Sequence, residues 1–141
     1  MKKRIKLPRF PQSFLPLPNG PLRVVEPRDL EQLPPNLRRF AEPITPVKLM
    51  LAALDTPPEG RTGFTPAEIR ARMRIASLLE KAEGRTYVDL DPRDYTQLKA
   101  LYAITPWAVR HQVFLDMEDV IEAAVDHNEG KKESANGTAD N

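Results

Sequence analysis

Apolar and polar positions follow two different rules along this chain, and the change falls near residue 58. Downstream of it, apolar side chains recur every three or four residues, the period of a helix with one buried face. From Pro66 to about Glu83, Ile69, Met73, Ala76 and Leu79 form such a face, widened by Ile75, Leu78 and Ala82. Arg70, Arg72, Arg74, Glu80 and Lys81 take much of the remaining surface, and Gly84 stands as a C-terminal cap. Pro92 to Ile104 carries Tyr95, Leu98, Leu101 and Tyr102 at the same spacing. Pro106 to about Asp126 carries Val113, Met117, Val120, Ile121 and Ala124, with Trp107, Phe114 and Val125 broadening the stripe. Thr86 to Leu90 alternates like a short strand or an extended connector. The pattern predicts helices over 66–83, 92–104 and 106–126, joined into a three-helix domain spanning 63–127.

Helix starts share one grammar. Thr65-Pro66-Ala67-Glu68 offers a capping hydroxyl, a proline at the first helical position and a glutamate three residues after the cap. Asp91-Pro92, Thr105-Pro106 and Thr45-Pro46 repeat the opening. Two stretches, EPRDLEQL (Glu26–Leu33) and DPRDYTQL (Asp91–Leu98), are nearly alike. They read as two helix starts with an aspartate placed where the helix dipole favours an anion, a duplication being the alternative.

Upstream the rule is different. Twelve of the fifteen prolines lie in the first 58 residues, where they remove backbone donors and hold φ near the polyproline value. Pro8 to Pro21 is expected to carry neither a regular sheet nor a long helix. Ile5, Leu7, Phe10, Phe14, Leu15, Leu17, Leu22, Val24 and Val25 nevertheless keep the stretch apolar. A stiff, extended, apolar chain loses less entropy on docking than a floppy one. Residues 1–58 therefore read as an extended arm that lies along a surface, its own or a partner's, with short helices at 27–40 and 46–54. Residues 128–141 have no apolar side chain larger than alanine and are expected to be a disordered tail.

Composition changes this picture in a few places. At 141 residues there is room for one small domain, and a net charge of +1 gives no bulk reason to expect nucleic acid. Charge is unevenly spread: residues 1–25 hold six bases and no acid, whereas residues 106–141 hold three bases against eight acids. The absence of cysteine removes disulfides and thiolate chemistry and suits a cytoplasmic protein. No apolar run approaches a membrane span, and the basic start lacks the apolar stretch of a secretory signal.

Candidate chemistry is sparse. His111 and His127 are the only histidines, too few for a zinc site and better read as structural or solvent-facing. Asp116, Glu118, Asp119 and Glu122 make one side of the last helix acidic, a solvated face or a docking surface for a basic partner. Lys2, Lys3, Arg4 and Lys6 could neutralise phosphates while Phe10 and Phe14 stack on unpaired bases. Pro18 to Arg23 has the P-x-x-P-x-R form of an SH3 ligand, a match nearly free in so proline-rich a segment. No phosphate loop surrounds Gly60 and Gly63, and no catalytic arrangement stands out, so neither an enzyme nor a bound cofactor or metal is expected.

The stretch GFTPAEIRARMRIASLLEKAEG, followed by YVDLDPRDYTQLKALYAITPW and the acidic helix ending at MEDVIEAA, resembles small accessory proteins of tailed bacteriophages over about residues 64–126. The resemblance implies an assembly, virion or host-takeover role and transfers no active site. The expected protein is mainly α: a small three-helix domain, a long proline-rich arm and a disordered tail. Its expected function is protein–protein interaction, with Phe10, Phe14, Leu15 and Leu17 anchoring in a partner's groove, or in another copy's, and Lys2, Lys3, Arg4 and Lys6 steering the approach. The alternatives are a nucleic-acid-binding accessory protein and a small regulator of a host enzyme acting through the acidic helix. The expected location is the host cytoplasm or the virion, away from the membrane.

Overall fold

The computed structural model describes residues 1–16, 23–58 and 60–127. Its first surprise is at the N-terminus. Lys2–Lys6 form a strand, β1, and Ser13–Leu15 a second, β2, each the middle strand of its own antiparallel sheet. β1 lies between β5 (Tyr87–Leu90) and β6 (Val125–His127), with Ile5 opposite Val88, Arg4 opposite Asp89 and Lys3 opposite Asp126. β2 lies between β3 (Arg23–Val25) and β4 (Glu42–Pro43), with Ser13 opposite both Val25 and Pro43. The described residues thus form a mixed α/β domain with two three-stranded sheets, and the expectation of a mainly α fold, a small three-helix domain with an extended N-terminal arm, is overturned.

The prolines permit this because they flank the strands. Pro8 and Pro11 fall between β1 and β2, Pro16 follows β2, and the three residues Ser13–Leu15 keep their donors. The expectation that no sheet could run through this region fails for that reason: so short a strand fits between prolines. Alternation within β1 turns Ile5 to the core, and Leu7 continues on that side, while Lys2, Arg4 and Lys6 take the opposite face. Ile5, Leu7, Ile44, Val88 and Leu90 join the helical side chains in one apolar core.

Among the described residues, six helices complete the element order: α1 (Pro27–Glu31), α2 (Pro35–Arg38), α3 (Pro46–Leu54), α4 (Pro66–Lys81), α5 (Pro92–Ile104) and α6 (Gln112–Glu122). All but α6 carry a proline in the first turn, where the missing N–H costs nothing. The capping box at α4 is complete: Thr65 Oγ1 accepts from the Glu68 N–H and Glu68 accepts from the Thr65 N–H. After α4, Gly84 takes φ +84°, a left-handed conformation suited to glycine, and the chain turns into β5.

Three details of the helices depart from the sequence pattern. In place of one helix over 27–40 there are the separate α1 and α2, with Pro34 as the N-cap of α2 and Pro35 as its first residue. α4 is rotated about its axis: Arg72, Ile75 and Leu79 are buried, whereas Ile69 is exposed and Met73 is 66% exposed. The rotation follows from Arg72, which donates through Nη1 to the carbonyls of Leu54 and Thr56 at the end of α3 and lies over the Phe64 ring. Finally, Thr105-Pro106 does not open α6. The chain runs as a loop to His111, whose Nδ1 accepts the Val113 N–H and caps the helix instead.

Candidate functional site

That loop shapes one wall of an apolar cavity. Trp107 stacks on Phe114 of α6, ring centroids 4.4 Å apart at 18°, and tilts against Tyr102 of α5 at 5.3 Å. Phe14 of β2 reaches Phe114 from the other side at 6.4 Å. Between this aromatic wall and Leu49 and Ala52 of α3 lies an open, mainly apolar cavity of about 370 Å³. Its size falls in the range of sites that take a large side chain or a small ligand.

The walls are held by polar bonds. The Tyr102 hydroxyl donates to the Phe114 carbonyl at 2.8 Å, and Tyr95 donates to the Ile121 carbonyl at 2.7 Å, so α5 and α6 are pinned at two levels. Burial, with help from the nearby Glu118 charge, pushes the Tyr102 hydroxyl well above its ordinary pKa and keeps it a donor. His111 Nδ1 is occupied by the Val113 N–H, so Nε2 carries the proton and donates to Glu26 Oε2 at 2.7 Å. This ties the loop before α6 to the end of β3. Thr56 donates to the Thr105 hydroxyl, which itself donates to the Leu101 carbonyl at 2.7 Å, closing the cavity floor.

Lys48 and Asp55 stand at the rim. Lys48 Nζ donates to the Pro43 carbonyl at 2.8 Å and lies 3.9 Å from Glu42. The cavity's polar groups thus hold backbone and one another, with no acid–base pair converging on its centre. Among the described residues, no group of three or more His, Asp or Glu is placed to hold a metal ion.

The stretch from Pro27 to Glu42 lies beside this cavity, because Glu42 pairs with Phe14 in the β2–β4 register and Lys48 holds Pro43. Neither α1 nor α2 buries a side chain. Arg38 ties the two together by donating to the carbonyls of Glu31 and Leu33. Beyond that tie Leu37 is 37% exposed and Phe40 51% exposed, with Arg39 over the Phe40 ring at 4.9 Å.

The residues singled out from the sequence are dispersed. Leu15 is 2% exposed in the chain's own core, and Phe10 and Phe14 pack against that core; Leu17 lies outside the described residues. Lys3 bridges to Asp126 at 2.8 Å and faces the Tyr95 ring. Arg4 makes two bonds to Asp89, at 2.8 and 3.0 Å, and lies 3.7 Å over the Tyr87 ring. Lys2 and Lys6 share the outer face of that sheet. On α6, Asp116, Asp119 and Glu122 are exposed and Glu118 is half-buried; Glu122 pairs with Lys99 at 3.1 Å and Asp116 accepts from Gln112. His127 sits on β6 opposite Lys2. The basic start and acidic end of the chain therefore meet within one molecule. The aromatic wall was not singled out; its signal was Tyr102, Trp107 and Phe114 clustered around a proline.

No protein-family model matches the chain, and comparison with curated proteins and with solved structures finds no significant similarity.

Proposed function

We propose that the protein is a non-enzymatic assembly protein that joins to a second copy of itself, each copy placing Phe40 and Leu37 in the other's aromatic cavity. The observation that carries this reading is adjacency in the chain: the exposed Phe40 stands two residues before Glu42, which pairs with Phe14 of the cavity wall. A two-fold interface needs such a self-complementary patch, because each surface must meet its own copy.

Energetics support it. Ordering a residue costs about 1–2 kcal/mol, and helices as short as α1 and α2 do not hold themselves in water. An excursion with no fully buried side chain gains further stabilisation from whatever covers it. Charge is also matched: Arg39 stands beside Phe40, and Asp55 stands at the cavity rim. An assembly role is also what the resemblance to phage accessory proteins implies, and such a protein would work in the host cytoplasm or the virion. No helix among the described residues is long and apolar enough to cross a membrane.

Two variants test the reading. Phe40→Asp removes the inserted side chain and leaves the cavity; Ala52→Trp fills the cavity and leaves Phe40. Each alone is expected to shift the solution mass towards the monomer. Mixed together, they are expected to form a one-to-one pair through the one surviving insertion. A wild-type monomer at high concentration, or a dimer indifferent to both changes, contradicts the proposal.

A further inference from the structure

The outer face of the first sheet is a second surface, unrelated to the cavity. Residues directly opposite one another in an antiparallel pair project to the same side. The β1 register therefore places Lys2, Arg4 and Lys6 on one face together with Tyr87 and Asp89 from β5 and His127 from β6. The core-facing partners, Ile5 with Val88 and Lys3 with Leu90, lie on the other side. The outer face holds three permanent cations and one carboxylate, with a histidine that adds a further cation when protonated.

Asp89 is the only acid in this cluster, and its work there is positional. Arg4 beside it holds its carboxyl below the usual range, with His127 and Lys2 contributing. In return Asp89 holds the Arg4 guanidinium over the Tyr87 ring, 3.7 Å from its centroid. A guanidinium plane fixed in this way is a surface on which a nucleobase stacks. Lys2 and Lys6, on either side of it, make no ion pair among the described residues.

We infer that this face binds single-stranded nucleic acid, with Lys2 and Lys6, about 13 Å apart along the strand, on backbone phosphates two steps apart and a base stacked on the Arg4–Tyr87 pair. Three features favour this occupant over an acidic protein. Alternate residues on a strand stand about 7 Å apart, close to the step between phosphates of an extended single strand. An exposed sheet face that bears an aromatic ring and cations accommodates splayed, unpaired bases. The face also carries exposed apolar surface for a base to rest on, from Tyr87 and from Val125, which stands opposite Arg4 in the register. The inference stands independently of the assembly reading, since no residue is shared between the two surfaces.

The test is fluorescence anisotropy with labelled 15-nucleotide oligo-dT and oligo-rU, and with a labelled polyglutamate peptide of equal charge. The expected result is binding of one or both oligonucleotides in preference to polyglutamate, weakening as salt rises. The pair Lys2→Gln with Lys6→Gln is expected to lower affinity by at least about tenfold and to reduce the salt slope by about 1.4, two single-strand phosphates' worth. The charge-matched pair Arg70→Gln with Lys81→Gln, on the exposed side of α4, is expected to change neither. Preference for oligo-dT or for oligo-rU assigns the natural ligand to DNA or to RNA. No binding at low salt, equal loss in both pairs of variants, or tighter binding of polyglutamate overturns the inference; an unchanged far-ultraviolet spectrum shows that the variants remain folded.

Discussion

Asp29 and Asp94 occupy the same place in two nearly identical octapeptides and meet different fates. Asp29 is exposed on α1, whereas Asp94 on α5 is 2% exposed and accepts from Arg74 of α4, Nη2 to Oδ1 at 2.6 Å. The shared Pro-Arg-Asp starts a helix in both cases, and only the tertiary partner makes one aspartate structural. Asp89 offers a measurable case of the same dependence. Its pKa is lowered in the fold, so its stabilising pairing with Arg4 is fully present above the ordinary aspartate value of 3.8 and is lost as pH falls through the lower folded value. Asp89→Asn is expected to cost about 1 kcal/mol at neutral pH. In a urea-denaturation series the gap from wild type should close below pH 3.8; a pH-independent gap contradicts the assignment. Arg72, 7% exposed, has an Nε with no partner, and burial lowers its pKa. Its two carbonyl contacts outweigh that desolvation if Arg72→Ala lowers stability by about 2 kcal/mol; a neutral outcome would show that α4 is rotated for another reason.

At the scale of elements, helices with both a capping residue and an apolar stripe were readable. Thr45-Pro46 and Asp91-Pro92 open α3 and α5, and Thr65 to Glu68 supplies the full capping box of α4. Apart from β5, which the alternation of Thr86 to Leu90 signalled, the strands were not readable, for a physical reason. β2, β3 and β6 span three residues each and β4 two, too short for alternation to show, and β1 pairs with strands more than eighty residues away. KKRIK does alternate, but with a single apolar residue it looks like a basic leader. Thr105-Pro106 misled because its capping grammar is intact; the stacking of Trp107 on Phe114 wins over the extra turn of helix. Trp107→Ala is therefore expected to cost about 2 kcal/mol, lowering the melting midpoint by several degrees. A loss under about 0.5 kcal/mol would mean that the loop is held by His111 and its cap alone.

At the scale of the molecule, the first fifteen residues are the architectural centre, and the outlying part is the excursion from Pro27 to Glu42. The N-terminal segment brings together helices that short joints alone would leave as a local bundle, through pairings of β1 with β5 and β6. The candidate cavity could not be read from sequence, because its wall comes from β2, the 105–111 loop and α6, which the fold alone brings together. Of the residues that suggested docking, Phe10, Phe14 and Leu15 pack on or in the chain's own core, whereas Leu37 and Phe40 remain exposed, just before the strand that pairs with the cavity-lining Phe14. The most direct measurement is the solution mass by light scattering of wild type, Phe40→Asp, Ala52→Trp and the mixture of the two variants. A wild-type dimer, a monomer-ward shift in each variant and a restored pair in the mixture are predicted. A wild-type monomer across the concentration range, or a dimer that neither substitution disturbs, would contradict the account.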